Sequence, residues 1–398
     1  MVSRSSPPLL DRAAAAVLAA LSAGLILRDI ASARGLMLPG RALIGRDFLN
    51  AWAGGRLTLL GRVREIYSSG YMAALHQITG YNIGPHAFSY PPTVLLFLWP
   101  LGVIGYLPAF LLWVVATGAA FLVAARPYLA RAGLPLWVAA LLPASLINIW
   151  AGHYGFVFSA LWLAAFSAMD GRPLRAGGLI ALLTFKPHLG VLIPLLLLIR
   201  REGKVIAAVV AATAALVGAS VLLFGIEPWR IFFSGTVRLQ THLLVKEHEF
   251  FFSMMPTTYM SFWVAFGNLP LAILAQSATA IAAIFIVVRA TMRGASWPEL
   301  GLMSATATFL VLPYAFNYDM QVVGLSAAML LFDGQRRLDP IGRIVALTAL
   351  GAPFLVIVLN PLGIPILPVA LLGFLWIQAR AYGVWNREPA QLSPALAV

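Results

Sequence analysis

The chain of 398 residues contains no cysteine. Disulfides, thiolate nucleophiles and cysteine-ligated metals are thereby excluded. Charge is scarce too: Asp, Glu, Lys and Arg together make 10% of the residues, against about 25% in soluble domains. There are seven Asp and seven Glu, and the only lysines are Lys186, Lys204 and Lys246. So little charge leaves no room for a large water-facing domain. What fills the chain instead is apolar, with 61% hydrophobic residues and a mean hydropathy of +0.89. This is the composition of an all-α polytopic membrane protein. Further apolar segments follow the first, residues 13–27, with no cleavage pattern between them, so that first segment is read as a retained anchor. The net charge of +13 is nearly all arginine. Positive-inside topology signals cover about half of it, and the balance suits anionic lipid headgroups and phosphate ligands. The basic residues are scattered over many short loops, which argues against a nucleic-acid partner. No internal repeat is visible.

Apolar runs fall at 13–27, 91–106, 107–125, 135–150, 154–169, 176–199, 205–224, 256–267, 269–290, 299–315, 319–333, 341–359 and 361–379. Crossing the hydrocarbon takes about 20 helical residues, and several runs are shorter or carry internal proline, so about 11–13 transmembrane helices are expected, some tilted or half-length. The whole of 1–398 reads as one integral membrane domain. Two stretches are too polar for lipid and too long for ordinary turns, 28–90 and 225–256. Their aromatic content argues for order. Basic clusters at both ends of 176–199, with Lys186-Pro187-His188 in its middle, suggest a broken hairpin that enters and returns. Parity of crossings likewise suggests that 91–106 enters without crossing fully.

Within 28–90, IGRDFLNAWAGGRLTLLG (44–61) has amphipathic helical spacing. Asp47, Asn50, Gly54, Thr58 and Gly61 share one face, and Phe48, Leu49, Trp52, Leu59 and Leu60 lie roughly opposite. Asp47 reads from its position as a first-turn acid favoured by the helix macrodipole. Tyr90, before Pro91-Pro92, stands at a stiffened helix entry and also fits an interfacial aromatic belt. Lys186 is the sharper signal. An ammonium in mid-span costs about 2.5–3.5 kcal/mol or more, and Pro187 breaks the backbone beside it. Such a charge requires a cavity, a partner or an anionic ligand. Asn317, Tyr318 and Asp319 fall where one apolar run gives way to the next, and His153, in WAGHYG, sits at a similar junction. His242 and His248 flank Lys246, with Glu247 and Glu249 interleaved. A solvated loop and a divalent metal are both open readings there, although the spacing matches no dedicated metal motif.

Taken in order, Asp47-Phe48 with Trp52, Tyr90-Pro91-Pro92, Lys186-Pro187-His188-Leu189 and Tyr318-Asp319 resemble the motifs of glycosyltransferase family 87. The resemblance departs at Gly152-His153-Tyr154-Gly155, where family members commonly show Gly-Gln. It implies a C-type glycosyltransferase fold with amphipathic helices in the first extracytoplasmic loop. It further implies a polyprenyl-phosphate sugar donor, mannose or another hexose, and a lipid or glycan acceptor. Membrane lipids would be the surroundings, in a bacterial inner membrane, with the active site on the extracytoplasmic side. Asp47 is implied to be the general base of an inverting transfer. Its helix would rest its apolar side in the lipid boundary, at headgroup height. No cofactor beyond the lipid-linked co-substrate is required. A departing phosphate anion needs cations rather than an acid. Lys186, Arg46, Arg56, His242 and His248 are the candidates for that role, and His188, Tyr90, His153, Tyr318 and Asp319 for the rest of the substrate site. The rival readings are a secondary transporter, which would show internal symmetry and coupling carboxylates, and a polyprenyl-lipid flippase or ligase.

Overall fold

The computed structural model describes residues 9–236, 252–333 and 338–386. Among them, five helices are long and apolar enough to cross a bilayer, and six apolar helices are shorter. In chain order the helices are α1 (Leu9–Ser32), α2 (Phe48–Leu59), α3 (Val63–Tyr67), α4 (Tyr71–Thr79), α5 (Pro92–Val103), α6 (Tyr106–Ala132), α7 (Trp137–Ala140), α8 (Pro143–Ala151), α9 (Gly155–Ala168), α10 (Pro173–Phe185), α11 (Pro187–Ile199), α12 (Gly203–Phe224), α13 (Glu227–Ile231), α14 (Thr258–Phe266), α15 (Leu269–Met292), α16 (Trp297–Val311), α17 (Gln321–Phe332), α18 (Pro340–Leu359) and α19 (Ile366–Ala381). The chain is a multi-pass, all-helical membrane protein. His242, His248 and their acidic neighbours lie outside the described residues.

Among the described residues little covers α1, as suits a helix facing lipid. Ion pairs hold it at both ends. Arg343 of α18 forks onto Asp11 at 2.8 and 2.8 Å, and Arg46 forks onto Asp29 at 2.9 and 3.0 Å. Trp150 of α8 also donates to Asp29, and the Arg46 guanidinium lies over the Trp150 ring. One apolar helix is thus fixed to two distant parts of the chain by its two buried acids.

The segment around Lys186 is the broken hairpin that its charges suggested. Gly177 of α10 presses against Val205 and Ala208 of α12, while Leu182 shares a groove with Ala215 and Leu216. The two helices therefore run side by side in the same direction. A tight turn at Arg200–Glu202 joins α11 to α12, so α11 runs the opposite way. The tip is Lys186 (φ −132°, ψ 67°), where Pro187 removes an amide donor. At 1.5 Å per residue α10 is about 20 Å long, short of the roughly 30 Å of hydrocarbon. The tip is thus held at depth, which irregular backbone tolerates only when protein surrounds it. In the same way, α5 is short, bent and interrupted by turns.

α2 departs from the expected surface helix. Both its faces are covered. Phe48 packs on Tyr106, Phe110 and Trp113 of α6 at ring separations of 5.4, 5.3 and 6.3 Å. The Trp52 indole donates to the Ile104 carbonyl at 3.0 Å. On the polar side, Asn50 accepts from the Tyr71 hydroxyl at 2.7 Å and donates to the Ala87 carbonyl at 3.3 Å. Only its far end, with Arg56, Leu59 and Leu60, is exposed. The apolar face therefore meets α6 rather than the lipid boundary, because aromatic side chains of α6 supply a drier and better-fitting partner. On a further side α2 lies against α5 so closely that a Cβ on Gly55 would stand 2.2 Å from the Leu98 carbonyl oxygen. Gly55→Ala is expected to lower stability by about 1–3 kcal/mol. Gly218→Ala in α12, where a Cβ meets nothing within 4 Å, is neutral or stabilising. Thermal unfolding in detergent compares the two.

Candidate active site

The centre of the site is assembled by two glycines. Gly152 ends α8 in the left-handed region (φ 64°), and a Cβ there would stand 2.1 Å from the Gly45 carbonyl oxygen. A Cβ on Gly155 would stand 2.0 Å from the Tyr318 carbonyl oxygen. The backbone of 45–48 closes in on one side of His153, and that of 318 on the other. The Asp47 amide donates to the Ala151 carbonyl at 3.0 Å, which pins the start of α2 beside the histidine. The α8–α9 turn is held by the Gly155 amide donating to Asn148 Oδ1 and by Gln321, which donates to the Ala144 and Tyr318 carbonyls.

Lys186 finds a partner. Its ammonium donates to both carboxylate oxygens of Asp319 at 2.7 Å and to His153 Nδ1 at 3.0 Å. The other nitrogen of the ring, Nε2, stands 2.7 Å from the Tyr90 hydroxyl. Lys186, His153 and Asp319 are 5%, 5% and 4% exposed. Tyr318 stacks on the imidazole at 3.8 Å between centroids and on Phe316 at 5.0 Å. Five residues from four separated stretches of chain, Tyr90, His153, Lys186, Tyr318 and Asp319, thus form one buried cluster.

Asp47 stands apart from that economy of pairs. It is half-buried, and among the described residues no hydrogen bond or ion pair holds its carboxylate. Tyr90, Tyr314 and Tyr318 are within its electrostatic reach, as are Lys186, Arg46, His86 and Asp319. Burial pushes the Asp47 carboxyl above the usual carboxylate range, against the opposing pull of His86, Lys186 and Arg46. A carboxylate without a partner among the described residues, in electrostatic reach of three phenols and of paired cations, is equipped to accept a proton from a substrate hydroxyl.

The remaining sequence candidates divide. Arg46 lies beside the site with its guanidinium committed to Asp29. Arg56 lies at the far end of α2 and donates to the Gly102 carbonyl. His188 is half-buried, edge-on to Tyr314 at 6.0 Å. Sequence reading passed over Asp29, Gln321, His86 and Tyr314. Tyr314 had a signal, since it opens the same PYAFNYDMQ stretch as Asp319. Gln321 closes that stretch and so had the same signal, whereas Asp29 had none, because what it binds is distant in sequence. Among the described residues no group of three His, Asp or Glu side chains could hold a metal ion.

Asp319→Asn, which strands a buried ammonium, is expected to lower stability by about 3–5 kcal/mol, whereas Lys186→Met combined with Asp319→Leu recovers most of that loss. Thermal unfolding of the three proteins in detergent is the measurement.

In comparison with known families, the family model described as Glycosyltransferase family 87 matches residues 88–313. Tyr90, His153 and Lys186 fall within the matched stretch, and Asp47, Tyr318 and Asp319 outside it. No curated protein and no solved structure matches the chain.

Proposed function

The chain belongs to glycosyltransferase family 87, and from that premise we propose that it transfers a sugar from a polyprenyl-phosphate donor to a lipid or glycan acceptor, with inversion, using Asp47 as general base. The observation that carries this reading is the state of the acids around the cluster. Asp29 and Asp319 each hold a cation, while among the described residues no hydrogen bond or ion pair holds the Asp47 carboxylate.

The chemistry follows from the leaving group. The acceptor hydroxyl oxygen forms a bond to the anomeric carbon while the bond from that carbon to the phosphate oxygen breaks. The hydroxyl proton passes to Asp47, and the carrier departs as a phosphate anion. Because that anion is stable, no general acid is needed, which fits a site where, among the described residues, Asp47 is the carboxylate without a partner rather than one of the two that glycosidases require. Tyr90, Tyr314 and Tyr318, within electrostatic reach of Asp47, are the aromatic rings proposed to meet the sugar. The arginine-rich ends of α10, α11 and α18 are read as the cytoplasmic face. The site then faces the extracytoplasmic side of a bacterial inner membrane. Mannose or another hexose is the sugar class proposed.

Asp47→Asn is expected to reduce transfer by at least about 100-fold while leaving thermal stability near wild type, since the carboxylate makes no bond to lose. Transfer of radiolabel from polyprenyl-phosphate mannose into a lipid extract reads it, and an active Asp47→Asn protein removes Asp47 from the mechanism. The pH profile carries a sign as well. The base works only when deprotonated, and burial raises its pKa. The acid limb of the kcat/KM profile should therefore lie above the roughly 3.9 of a free aspartate, with activity falling as pH drops through it.

A further inference from the structure

The cluster beside Asp47 has a direction as well as a shape. Lys186, as an ammonium, has three hydrogens and no lone pair. Two go to the carboxylate oxygens of Asp319 and the third to Nδ1 of His153. Nδ1 must therefore be the accepting nitrogen of a neutral imidazole, which places the ring hydrogen on Nε2. At 2.7 Å, Nε2–H then donates to the Tyr90 oxygen. Tyr90 accepts there, so its own hydroxyl hydrogen must point elsewhere, and among the described residues no acceptor takes it. The stacked Tyr318 ring holds the plane of the imidazole, and the contacts at both ring nitrogens favour this orientation.

We propose that Asp319, Lys186, His153 and Tyr90 form a hydrogen-bond relay of fixed polarity, which makes the Tyr90 hydroxyl a donor to a phosphate oxygen of the lipid-linked substrate held beside Asp47. The proposal rests on the functional reading above and assigns new roles within it. Lys186 does not touch the phosphate. Its charge acts through the imidazole, and the phenol delivers the hydrogen bond. Tyr90 is then the catalytic residue of the relay, and His153, Lys186 and Asp319 are its positioning residues. This resolves how a lysine with every hydrogen occupied still serves a departing anion. Hydrogen bonds in a chain polarise one another, and a donor already fixed in a dry site needs no reorganisation as charge develops. No covalent bond is made or broken by the relay, and no proton is transferred along it. It only holds the donor hydrogen in place while the phosphate acquires its charge.

Two independent measurements test it. The first is nitrogen NMR of histidine-labelled wild-type protein in detergent, assigned with His153→Gln. His153 is expected as the neutral tautomer with hydrogen on Nε2. A ring hydrogen on Nδ1, or a doubly protonated ring, overturns the relay whatever the enzyme's substrate. The second is transfer from polyprenyl-phosphate mannose. Tyr90→Phe is expected to lower kcat by about 100-fold, the loss typical of one preorganised donor. His153→Gln should stay within about tenfold of wild type, since a primary amide can accept from Lys186 through oxygen and donate to Tyr90 through nitrogen. His153→Leu should fall as far as Tyr90→Phe, and the Tyr90→Phe, His153→Leu double variant no further, because residues acting as a unit are not additive. Three results overturn the proposal: full activity in Tyr90→Phe, a folded His153→Gln protein no better than His153→Leu, or losses that multiply in the double variant. If His153→Leu fails to fold, Tyr90→Phe against His153→Gln still decides. A wild-type protein that does not use this donor counts against the functional reading, and the NMR tautomer then decides the relay alone.

Discussion

The buried pair of Lys186 with Asp319 is the constraint around which this protein is arranged. An ammonium at membrane depth is tolerable only with a counter-charge and a complete set of hydrogen-bond acceptors. Asp319 supplies the charge, and His153 completes the set. To bring these groups together, α10 and α11 must stop short and turn at Lys186, and α16 and α17 must meet at 317–319. The turn after α8 must also present His153. Three chain breaks at depth are therefore one requirement met from three sides. Each exposes backbone that only surrounding protein can satisfy, and Gln321 and Asn148 do part of that work.

Close backbone approach is the second device. Gly152 and Gly155 carry no Cβ, so the Gly45 and Tyr318 carbonyls reach positions that any side chain would occupy. Asp47 thereby arrives at the edge of the cluster without being drawn into an ion pair. Its neighbour Arg46 is removed from competition by Asp29. Among the described residues the Asp47 carboxylate is thus left unpaired by the pairing of Arg46 and Lys186 beside it, and its helix is buried on both faces so that its position is fixed.

Much of the fold was legible because lipid leaves few options. Apolar runs announced the helices, and the basic residues flanking 176–199, with Lys186-Pro187 in its middle, announced the broken hairpin. The short, bent α5 followed from counting crossings. The surroundings of α2 were not legible. Phe48, Leu49 and Trp52 make an apolar stripe that fits lipid or protein equally well, and only the aromatic face of α6 selects protein. Lys186 was marked by its sequence as needing a partner, yet nothing local named Asp319, which lies 133 positions away. Asp29 was invisible for the same reason, since it belongs to an apolar helix whose partners come from the first loop and from α8.

Composition and spacing by themselves determined that this chain is helical, spans a membrane many times, and carries a small number of charges that must have purposes. They did so because the transfer cost of a charge into hydrocarbon is large and independent of fold. Which charges are neutralised, and that Asp47 is left without a partner among the described residues, was decided only by tertiary structure. Hydrogen-bond partners at 2.7–3.0 Å are set by the meeting of segments far apart in sequence, and no local pattern encodes that meeting.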